Sequence, residues 1–384
     1  MTFDRRDFLR LASLAAFTGM PALAAAVASP ARKLLVLVEL KGGNDGLNTV
    51  VPYADPNYAR LRPRLAIARD QVVQLTERTG LHPSLEKLKA VWDERQLAVV
   101  QGVGYPQPNL SHFRSIEIWD TASKSDEYLE AGWLARAFAK SPSPEGFAAD
   151  GVVVGPNAMG PLAGNGARAI ALANPDQFLR NARLARAEGE SRNPALAHIL
   201  RIERDVLVTA QRLHSNREFA TAFPQGAFGN AVGTAAQLAA NEAGIAVVRL
   251  SLGGFDTHAN QQGVHANLLR QLAEGMNALR AALIEIDRWG STVVATYSEF
   301  GRRPRENQSG GTDHGTASAH FVMGGAVKGG LHGAAPTLDR LDANGNLPFA
   351  VDFRGYYATF LDRWWGIDSR QVLGARYGVV DFLV

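Results

Sequence analysis

The sequence predicts a doubly wound α/β fold with a mostly parallel sheet and helices on both faces. Short apolar runs alternate with helical patterns along most of the chain, which is typical of this fold class. The first run, at 34–40, is almost continuously apolar, as expected of a strand that is buried on both faces of a parallel sheet. Polar, glycine-rich segments follow the strongest runs, and ligand sites of open α/β sheets lie at such strand ends.

The individual elements follow from the spacing of apolar residues and from capping signals. Strands are predicted at 34–40, 97–103, 151–155, 245–252, 291–298 and 320–324. Helices are predicted at 84–95, 111–122, 128–140, 195–222, 229–243, 264–288 and 356–365. Because the sequence shows no internal repeat and no low-complexity linker, we expect one domain at 29–384 with a helical insertion around 176–243.

The composition narrows the class of protein. The chain has 384 residues, of which 46% are hydrophobic and 20% charged, and this mixture excludes general disorder. Its 40 Lys and Arg residues are scattered and nearly balanced by 37 Asp and Glu, so we expect no nucleic-acid partner. It contains no cysteine, which excludes disulfides, zinc–thiolate sites, iron–sulfur clusters and cysteine nucleophiles.

The first 28 residues resemble an export signal. Arg5 and Arg6 precede a hydrophobic pair, which is the twin-arginine pattern. The alanine-rich run at 11–28 contains a glycine and a proline and ends in small residues, whereas a membrane-spanning helix needs about 20 consecutive apolar residues. An amphipathic first helix and an uncleaved anchor are the alternatives. We expect the twin-arginine translocase to export the chain to the periplasm or the medium.

Polar residues that suit a metal ion follow the strong strands. The candidates for metal ligands are Asp45, Asp256, His258, His265, Asp313 and His314. Carboxylate and imidazole ligands suit a divalent ion, with zinc favoured and manganese or calcium as alternatives. Taken singly, Asp45 could hold a turn, and the other pairs could be exposed loop residues. Their joint position at strand ends favours a metal site.

Ser111 is the candidate nucleophile, because it lies where a strand-end loop becomes a helix. A metal ion and the helix dipole would activate its hydroxyl there. The alternative role is that of an N-cap. Arg302 is expected to clamp an oxyanion, and a solvated surface charge is the alternative. The residues expected to contact the substrate or to orient this loop are Asn44, Asn109, His112 and Asn307.

Six blocks together resemble one exported bacterial family. They are the export signal, GGNDGLN at 42–48, NLSHFR at 109–114, FDTH at 255–258, SEFGR at 298–302 and GTDHG at 311–315. In this order they are similar to the "domain of unknown function fifteen-oh-one" family (DUF1501), which is grouped with the alkaline phosphatase and sulfatase superfamily. The likeness covers essentially all of the mature chain and implies an alkaline phosphatase-like fold.

The resemblance also implies a site with two metal ions beside the nucleophile. One ion would be surrounded by Asp45, Ser111, Asp313 and His314. The other would be surrounded by Asp256 with His258 or His265, and a late ligand would come from His320 or His332, although both read more readily as core or surface histidines. The sulfatase signature is missing around Ser111, so formylglycine chemistry is not expected.

Three functions follow from these observations. The first is an exported metal-dependent hydrolase of phosphate or related sulfate or phosphonate esters, acting on a small-molecule or envelope-derived substrate. The second is a binding or assembly protein of the cell envelope that keeps the fold without turnover. The third, a serine esterase of the Gly-Asp-Ser-Leu type, is disfavoured because Gly43-Asn44-Asp45 precedes Ser111, whereas that class places this block after its nucleophile.

Overall fold

A computed structural model describes residues 32–155, 158–172, 193 and 217–384. Arg32–Val384 forms one compact unit. The predicted signal at 1–28 and most of the predicted helix at 195–222 lie outside the described residues. In the described part of the chain, no helix is both long and apolar enough to cross a membrane.

The strands of the described residues form one large sheet and two small ones. In chain order they are β1 (Leu34–Lys41), β2 (Val50–Val51), β3 (Val73–Gln74), β4 (Gly80–Leu81), β5 (Leu97–Gly104), β6 (Ala149–Val154), β7 (Ala169–Leu172), β8 (Ile245–Gly253), β9 (Thr292–Tyr297), β10 (Arg302–Glu306), β11 (Thr312–His314), β12 (Ser318–Met323), β13 (Gly330–His332) and β14 (Val351–Asp352).

The described residues form nine α-helices, of which only two are longer than ten residues. They are α1 (Gly46–Thr49), α2 (Pro56–Leu61), α3 (Lys89–Asp93), α4 (His112–Thr121), α5 (Trp133–Lys140), α6 (Ala227–Ala240), α7 (Gln261–Glu285), α8 (Phe353–Thr359) and α9 (Ser369–Leu373). Three 3-10 turns (Pro83–Leu88, Gly160–Leu162 and Trp289–Ser291) and a π-helical turn (Phe360–Trp365) complete the described elements.

The large sheet has nine strands in the order β13-β5-β12-β9-β1-β8-β6-β7, and β14 also pairs with β5. Neighbours run parallel, except that β12 is antiparallel to both β5 and β9. Leu35 of β1 lies opposite Val247 on one side and Val293 on the other, so β1 is the centre of the sheet. The mostly parallel sheet of the sequence prediction is confirmed.

Both faces of the sheet are covered, as the apolar run of β1 predicts. Its even-numbered side chains, such as Val36, pack in a core with α6, α7 and the Pro83–Leu88 turn. Its odd-numbered side chains Leu35 and Leu37 pack in a second core with α4, α5, α8 and α9. Because residues 34–40 are each buried on one face or the other, the strand is almost entirely apolar. The exception is Glu39, which pairs with Arg249 at 2.7 Å.

Three predicted helices differ from the structure at their ends. The segment at 84–95 is a 3-10 turn followed by α3, and the imidazole of His82 caps its N-terminus. The helix predicted from 128 begins at Trp133, because Arg114 binds the Glu127 carbonyl and stacks on the Tyr128 ring, which holds the preceding loop in place. The helix predicted at 356–365 is α8 followed by the π-helical turn.

The topology brings the polar segments to one edge of the sheet. β1, β5, β8 and β9 are parallel, so the loops that follow them leave at the same edge. The antiparallel β12 begins there, with Ser318 opposite Val103 near the end of β5. The strand ends that carry the predicted site residues therefore meet.

Candidate metal centre

Four side chains converge at this edge of the sheet: Asp256, His112, His258 and His314, which we call the His–Asp cluster. The Nε2 atoms of His258 and His314 each lie 3.1 Å from Asp256 Oδ1. The same two nitrogens are 3.0 Å apart. His112 Nε2 lies 3.4 Å from Asp256 Oδ2. Three imidazole nitrogens thus surround a single carboxylate.

Each imidazole of the cluster has an acceptor at its other nitrogen. The Nδ1 atoms of His112, His314 and His258 lie 2.8 Å from Glu299 Oε1, 2.8 Å from the Leu110 carbonyl oxygen and 3.4 Å from Asp313 Oδ1, respectively. A proton on Nδ1 donates to such an acceptor and leaves the lone pair of Nε2 directed at the centre. Metal-binding histidines in proteins are held in the same way by carboxylates and backbone carbonyls.

The cluster fits a divalent metal ion. The ligand atoms of His112, Asp256 and His314 all lie within 4.8 Å of one another. His112 Nε2 is buried and has no hydrogen-bond partner, so a polar atom that needs a partner points into the cluster. Two or three imidazole nitrogens with one carboxylate oxygen are a ligand set that zinc accepts. Among the described residues, this is one group that could hold such an ion.

A glycine allows the loops after β1 and β8 to approach each other. Gly42 has φ +118°, and a Cβ there would lie 2.5 Å from the backbone nitrogen of Asp256. Its N–H donates to Glu299 Oε1 at 2.9 Å, and that oxygen also meets His112 Nδ1. The conformation of Gly42 therefore positions Glu299, and through it one imidazole of the cluster.

Arg302 is buried beneath the cluster and joins three strand-end loops. Its side chain is 0% exposed and donates to Asp256 Oδ1 at 2.6 Å. Its remaining N–H groups are directed at the carbonyl oxygens of Gly42, Gly43, Phe255 and Thr312. The prediction of an oxyanion clamp therefore differs from the structure, because this guanidinium is inaccessible and fully engaged with the protein.

The charges of the cluster keep Asp256 ionised. Partial burial by itself raises the pKa of this carboxyl, but the hydrogen bond and the charge of Arg302 are the main opposing influences, and the pKa is about 2. Burial lowers the pKa of His314, which favours the neutral imidazole that a metal ion requires. The Asp256 side chain is still 46% exposed, so the cluster is open to solvent.

Asp45 lies outside the cluster, contrary to its predicted role as a metal ligand. It forms a completely buried ion pair with Arg62, whose two terminal nitrogens lie 2.6 and 2.9 Å from its carboxylate oxygens. Gln261 and the N–H groups at the start of α1 occupy the remaining acceptor positions. With these partners, the carboxylate has no free lone pair directed at the cluster.

Asn44 and His265 are also internal rather than part of the site. His265 Nε2 lies 2.9 Å from Asn44 Oδ1, and the Asn44 amide donates to Thr49. Both side chains are buried, and burial lowers the pKa of His265 to about 3. The predicted roles in metal binding and substrate contact do not fit these positions.

The other predicted residues surround the cluster. Ser111 is exposed at the N-cap of α4 and makes no side-chain capping bond, while Asn109 Oδ1 accepts its N–H at 2.9 Å. The Asn307 amide donates to the His258 carbonyl at 2.9 Å and to Asp313 Oδ1 at 3.1 Å. Asp313 therefore supports His258 from outside the cluster. Within the described residues, His320 is enclosed in the core and His332 lies on the sheet edge, both apart from the cluster.

Two residues that organise the site are missing from the sequence prediction. Glu299 lies two residues after the end of β9, so its position near a strand end was a usable signal. Arg62 carries no comparable signal, because it lies on no strand end and meets Asp45 only in the folded chain. The sequence predicts that His112 contacts the substrate or orients the loop, whereas in the structure its Nε2 points into the cluster.

The fold is similar to that of several solved structures. Ps i-CgsB in complex with k-i-k-neocarrahexaose has a TM-score of 0.39 and 10% sequence identity, over 90% of this chain and 72% of that chain. The C-terminal periplasmic domain of EcEptC from Escherichia coli, in complex with Zn, has a TM-score of 0.36 and 11% identity, over 76% and 72%. Alkaline phosphatase from the Antarctic bacterium TAB5 has a TM-score of 0.33 and 10% identity, over 78% and 94%.

Sequence comparison gives a clearer relationship. No curated protein matches the chain significantly. One family matches residues 32–375, a range that contains the whole sheet and every residue of the His–Asp cluster. The chain therefore belongs to the family described as "Protein of unknown function (DUF1501)".

Proposed function

We propose that this protein is an exported metal-dependent hydrolase of phosphate or related sulfate or phosphonate esters. The observation that carries the proposal is the orientation of the three cluster imidazoles. Each imidazole has its Nδ1 next to a hydrogen-bond acceptor and its Nε2 directed towards Asp256. The Nε2 of His112 is buried and makes no hydrogen bond. Such an arrangement suits a divalent ion, with zinc favoured by the ligand set.

The residues of the cluster would hold the ion, and the loops around it would fix their positions. His112, His314 and Asp256 are the primary ligands, with His258 as the fourth. When bound, a divalent ion would stabilise negative charge on the ester oxygens and lower the pKa of a bound hydroxyl or water. Arg302 is a positioning residue in this scheme, because it fixes Asp256 and does not reach the substrate.

Ser111 is the nucleophile in this proposal. It immediately precedes His112, is exposed, and makes no side-chain capping bond, so its hydroxyl is free to attack. The ten-residue helix α4 directs its N-terminus at the same place, which favours an anionic ester group there. Attack by Oγ would form a bond to phosphorus or sulfur and release the alcohol. Water would then cleave the Ser111 ester and complete the hydrolysis.

Metal content tests the ligand set. We expect at least one equivalent of zinc, manganese or calcium in the purified mature protein, measured by inductively coupled plasma mass spectrometry. The variant His314→Ala should lose that metal, whereas His332→Ala should keep it, because His332 bonds to the Lys328 carbonyl on the sheet edge. Two equivalents would support the two-metal site that the resemblance implies. Folded wild-type protein without stoichiometric metal would overturn the proposal.

Activity tests the nucleophile. A screen with aryl phosphates, sulfates and phosphonate esters should detect hydrolysis by the metal-loaded protein. The variant Ser111→Ala should reduce kcat by about 100-fold or more while metal content stays unchanged. The matched control is Ser141→Ala, which removes an exposed hydroxyl after α5 and should leave the rate unchanged. Full activity in Ser111→Ala would remove this residue from the mechanism.

A second candidate is a binding or assembly protein of the envelope without turnover. The observation that favours it is the burial of Arg302, because the described residues then lack the arginine expected to hold an oxyanion. This candidate predicts stoichiometric metal and a folded protein with no hydrolysis of any ester class. The same screen therefore separates the two functions.

We also propose that the twin-arginine translocase exports the chain to the periplasm or the medium. The support is the Arg5-Arg6 pair followed by an alanine-rich apolar run. The substrate would then be a small-molecule or envelope-derived ester that the protein meets outside the cytoplasm.

A further inference from the structure

A cavity of about 510 Å³ opens directly beside the His–Asp cluster. His112, Asp256 and Glu299 form its wall at one end, so it shares residues with the proposed catalytic centre. Its volume is sufficient for a small organic group. The cavity is the place where the part of an ester that is not at the metal would lie.

One face of α4 runs along the cavity. His112, Ile116 and Asp120 line it at intervals of four residues, which places them on the same side of the helix. Eight residues of α-helix rise by about 12 Å, so Asp120 lies roughly that far along the cavity from His112. Apolar side chains, including Val154 and Leu250, line it as well. A ligand that reaches from the cluster to Asp120 is therefore elongated, with apolar atoms in its middle.

Asp120 lies in the cavity wall without a positive partner. Arg249, the nearest candidate, pairs with Glu39 at 2.7 Å and donates its other N–H groups to Tyr297 at 2.8 Å and to the Ala158 carbonyl at 2.7 Å. Asp120 forms no ion pair and no side-chain hydrogen bond with a described residue, and its buried Oδ1 has no partner. Asp120 therefore has no ion-pair partner among the described residues, although Lys41 also lines the cavity.

The charges around Asp120 indicate which group of a ligand it would bind. Burial raises the pKa of this carboxyl to about 8 and outweighs the charge of Arg249, which lowers it. The charges of Glu39 and Glu299 raise the pKa as well, and that of Lys41 lowers it. The charge of Asp120 in turn contributes to raising the pKa of the Tyr297 phenol. A buried carboxyl of this kind is stabilised in its charged form by an added cation. An ammonium group of a ligand would supply one.

We propose that the cavity binds the organic group of the substrate and that Asp120 binds an ammonium group on it. This inference rests on the proposed hydrolysis and names its substrate class: esters whose alcohol part carries an amine at the far end of an apolar linker. Phe113, which is 89% exposed, lies at the cavity lining next to His112 and would contact the linker. The Asp120 carboxylate accepts the hydrogen bonds of the ammonium, and no covalent step occurs at this end.

Calorimetric titration with two phosphonates tests the inference without any turnover. The ligands are 6-aminohexylphosphonate and hexylphosphonate, which differ in the terminal ammonium and contain no ester bond. We expect the wild-type protein to bind the amine about tenfold more tightly, which corresponds to about 1.4 kcal/mol. In Asp120→Asn the preference should fall below twofold. The control Asp126→Asn changes an exposed carboxyl after α4 in the same way and should keep the preference.

Equal affinity of the wild-type protein for both ligands would overturn the inference, and so would an unchanged preference in Asp120→Asn. If that variant fails to fold, 6-acetamidohexylphosphonate replaces it. Acetylation removes the charge from the ligand, and its affinity for the wild-type protein should equal that of hexylphosphonate. A preference for the amine without hydrolysis of any ester would refute the proposed enzyme and leave the amine site. Hydrolysis without the preference would refute only the amine site.

Discussion

Neutralising Asp45 tests whether this residue supports the fold or binds the metal. In Asp45→Asn the amide keeps the size of the side chain and an acceptor for the N–H groups at the start of α1. It removes the negative charge from a pair in which both side chains are 0% exposed. Arg62 then remains buried with a charge that no carboxylate balances.

The structure sets the size of the expected effect. Removing one partner of a buried ion pair lowers the free energy of unfolding by about 3–5 kcal/mol. Arg62 keeps its bonds to Asn48 Oδ1 at 2.6 Å and to the Pro304 carbonyl at 2.8 Å, so we expect the lower part of that range. The double variant with Arg62→Met should recover part of the loss, because no charge then stays buried.

Urea unfolding and metal analysis of the same samples form the assay. Burial raises the pKa of Asp45, but Arg62 more than offsets this, and the pKa in the folded protein is lower than usual. The contribution of the carboxylate is therefore complete above its unfolded pKa of about 3.9 and disappears as the pH falls below it. The difference between wild type and variant should shrink in that range. Loss of metal from folded Asp45→Asn, or a stability change below about 1 kcal/mol, would refute this reasoning.

Three further predictions concern Glu299, which orients His112, the cavity beside the cluster, and export. Glu299→Gln should weaken metal binding by about 10-fold or more, because it loosens the contact that orients His112. A chelator competition titration measures this affinity, and an unchanged value would contradict the prediction. Asp120→Asn should raise the free energy of unfolding at neutral pH. The pKa of Asp120 is about 8 in the folded protein and about 3.9 in the unfolded chain, so the wild type loses stability as the pH rises from about 4 to 8. This loss is on the order of 5 kcal/mol at most. Parallel pH profiles of the two proteins in thermal unfolding would disprove this explanation. Replacing Arg5 and Arg6 with lysines should retain the chain in the cytoplasm, and cell fractionation that finds undiminished export would exclude the twin-arginine route.

The six strands predicted from the sequence lie within a few residues of their positions in the structure, because burial on both faces makes them largely apolar runs. The other eight described strands have two to five residues each, and they were not predicted because such short segments give no clear pattern. The same reasoning indicated Asp256, His258 and His314 as neighbours, since the loops after parallel strands share an edge. The role of Asp45 could not be predicted in this way. Its position after β1 suits a ligand equally well, and only tertiary packing against Arg62 shows that its oxygens are occupied.

Other parts of the site depend on geometry that no local pattern contains. Which nitrogen of His112 faces the cluster depends on Glu299, which lies 187 residues further along the chain. Residues of α4 and of the ends of β1 and β8 together line the cavity beside the cluster, and Asp120 reads in the sequence as an ordinary helix residue. Sequence patterns locate the edge of the sheet where the site lies, and side-chain packing decides the roles within it.

The cluster would take its metal ligands from segments that are far apart in the chain, with His112 from the start of α4, Asp256 from the loop after β8 and His314 from β11. A nascent or truncated chain that lacks β11 would have no third ligand, so the stoichiometry of bound metal reports how much of the chain has folded completely. If the protein binds the ion in the cytoplasm and crosses the membrane in its folded form, the metals available in the cytoplasm determine which ion is bound first.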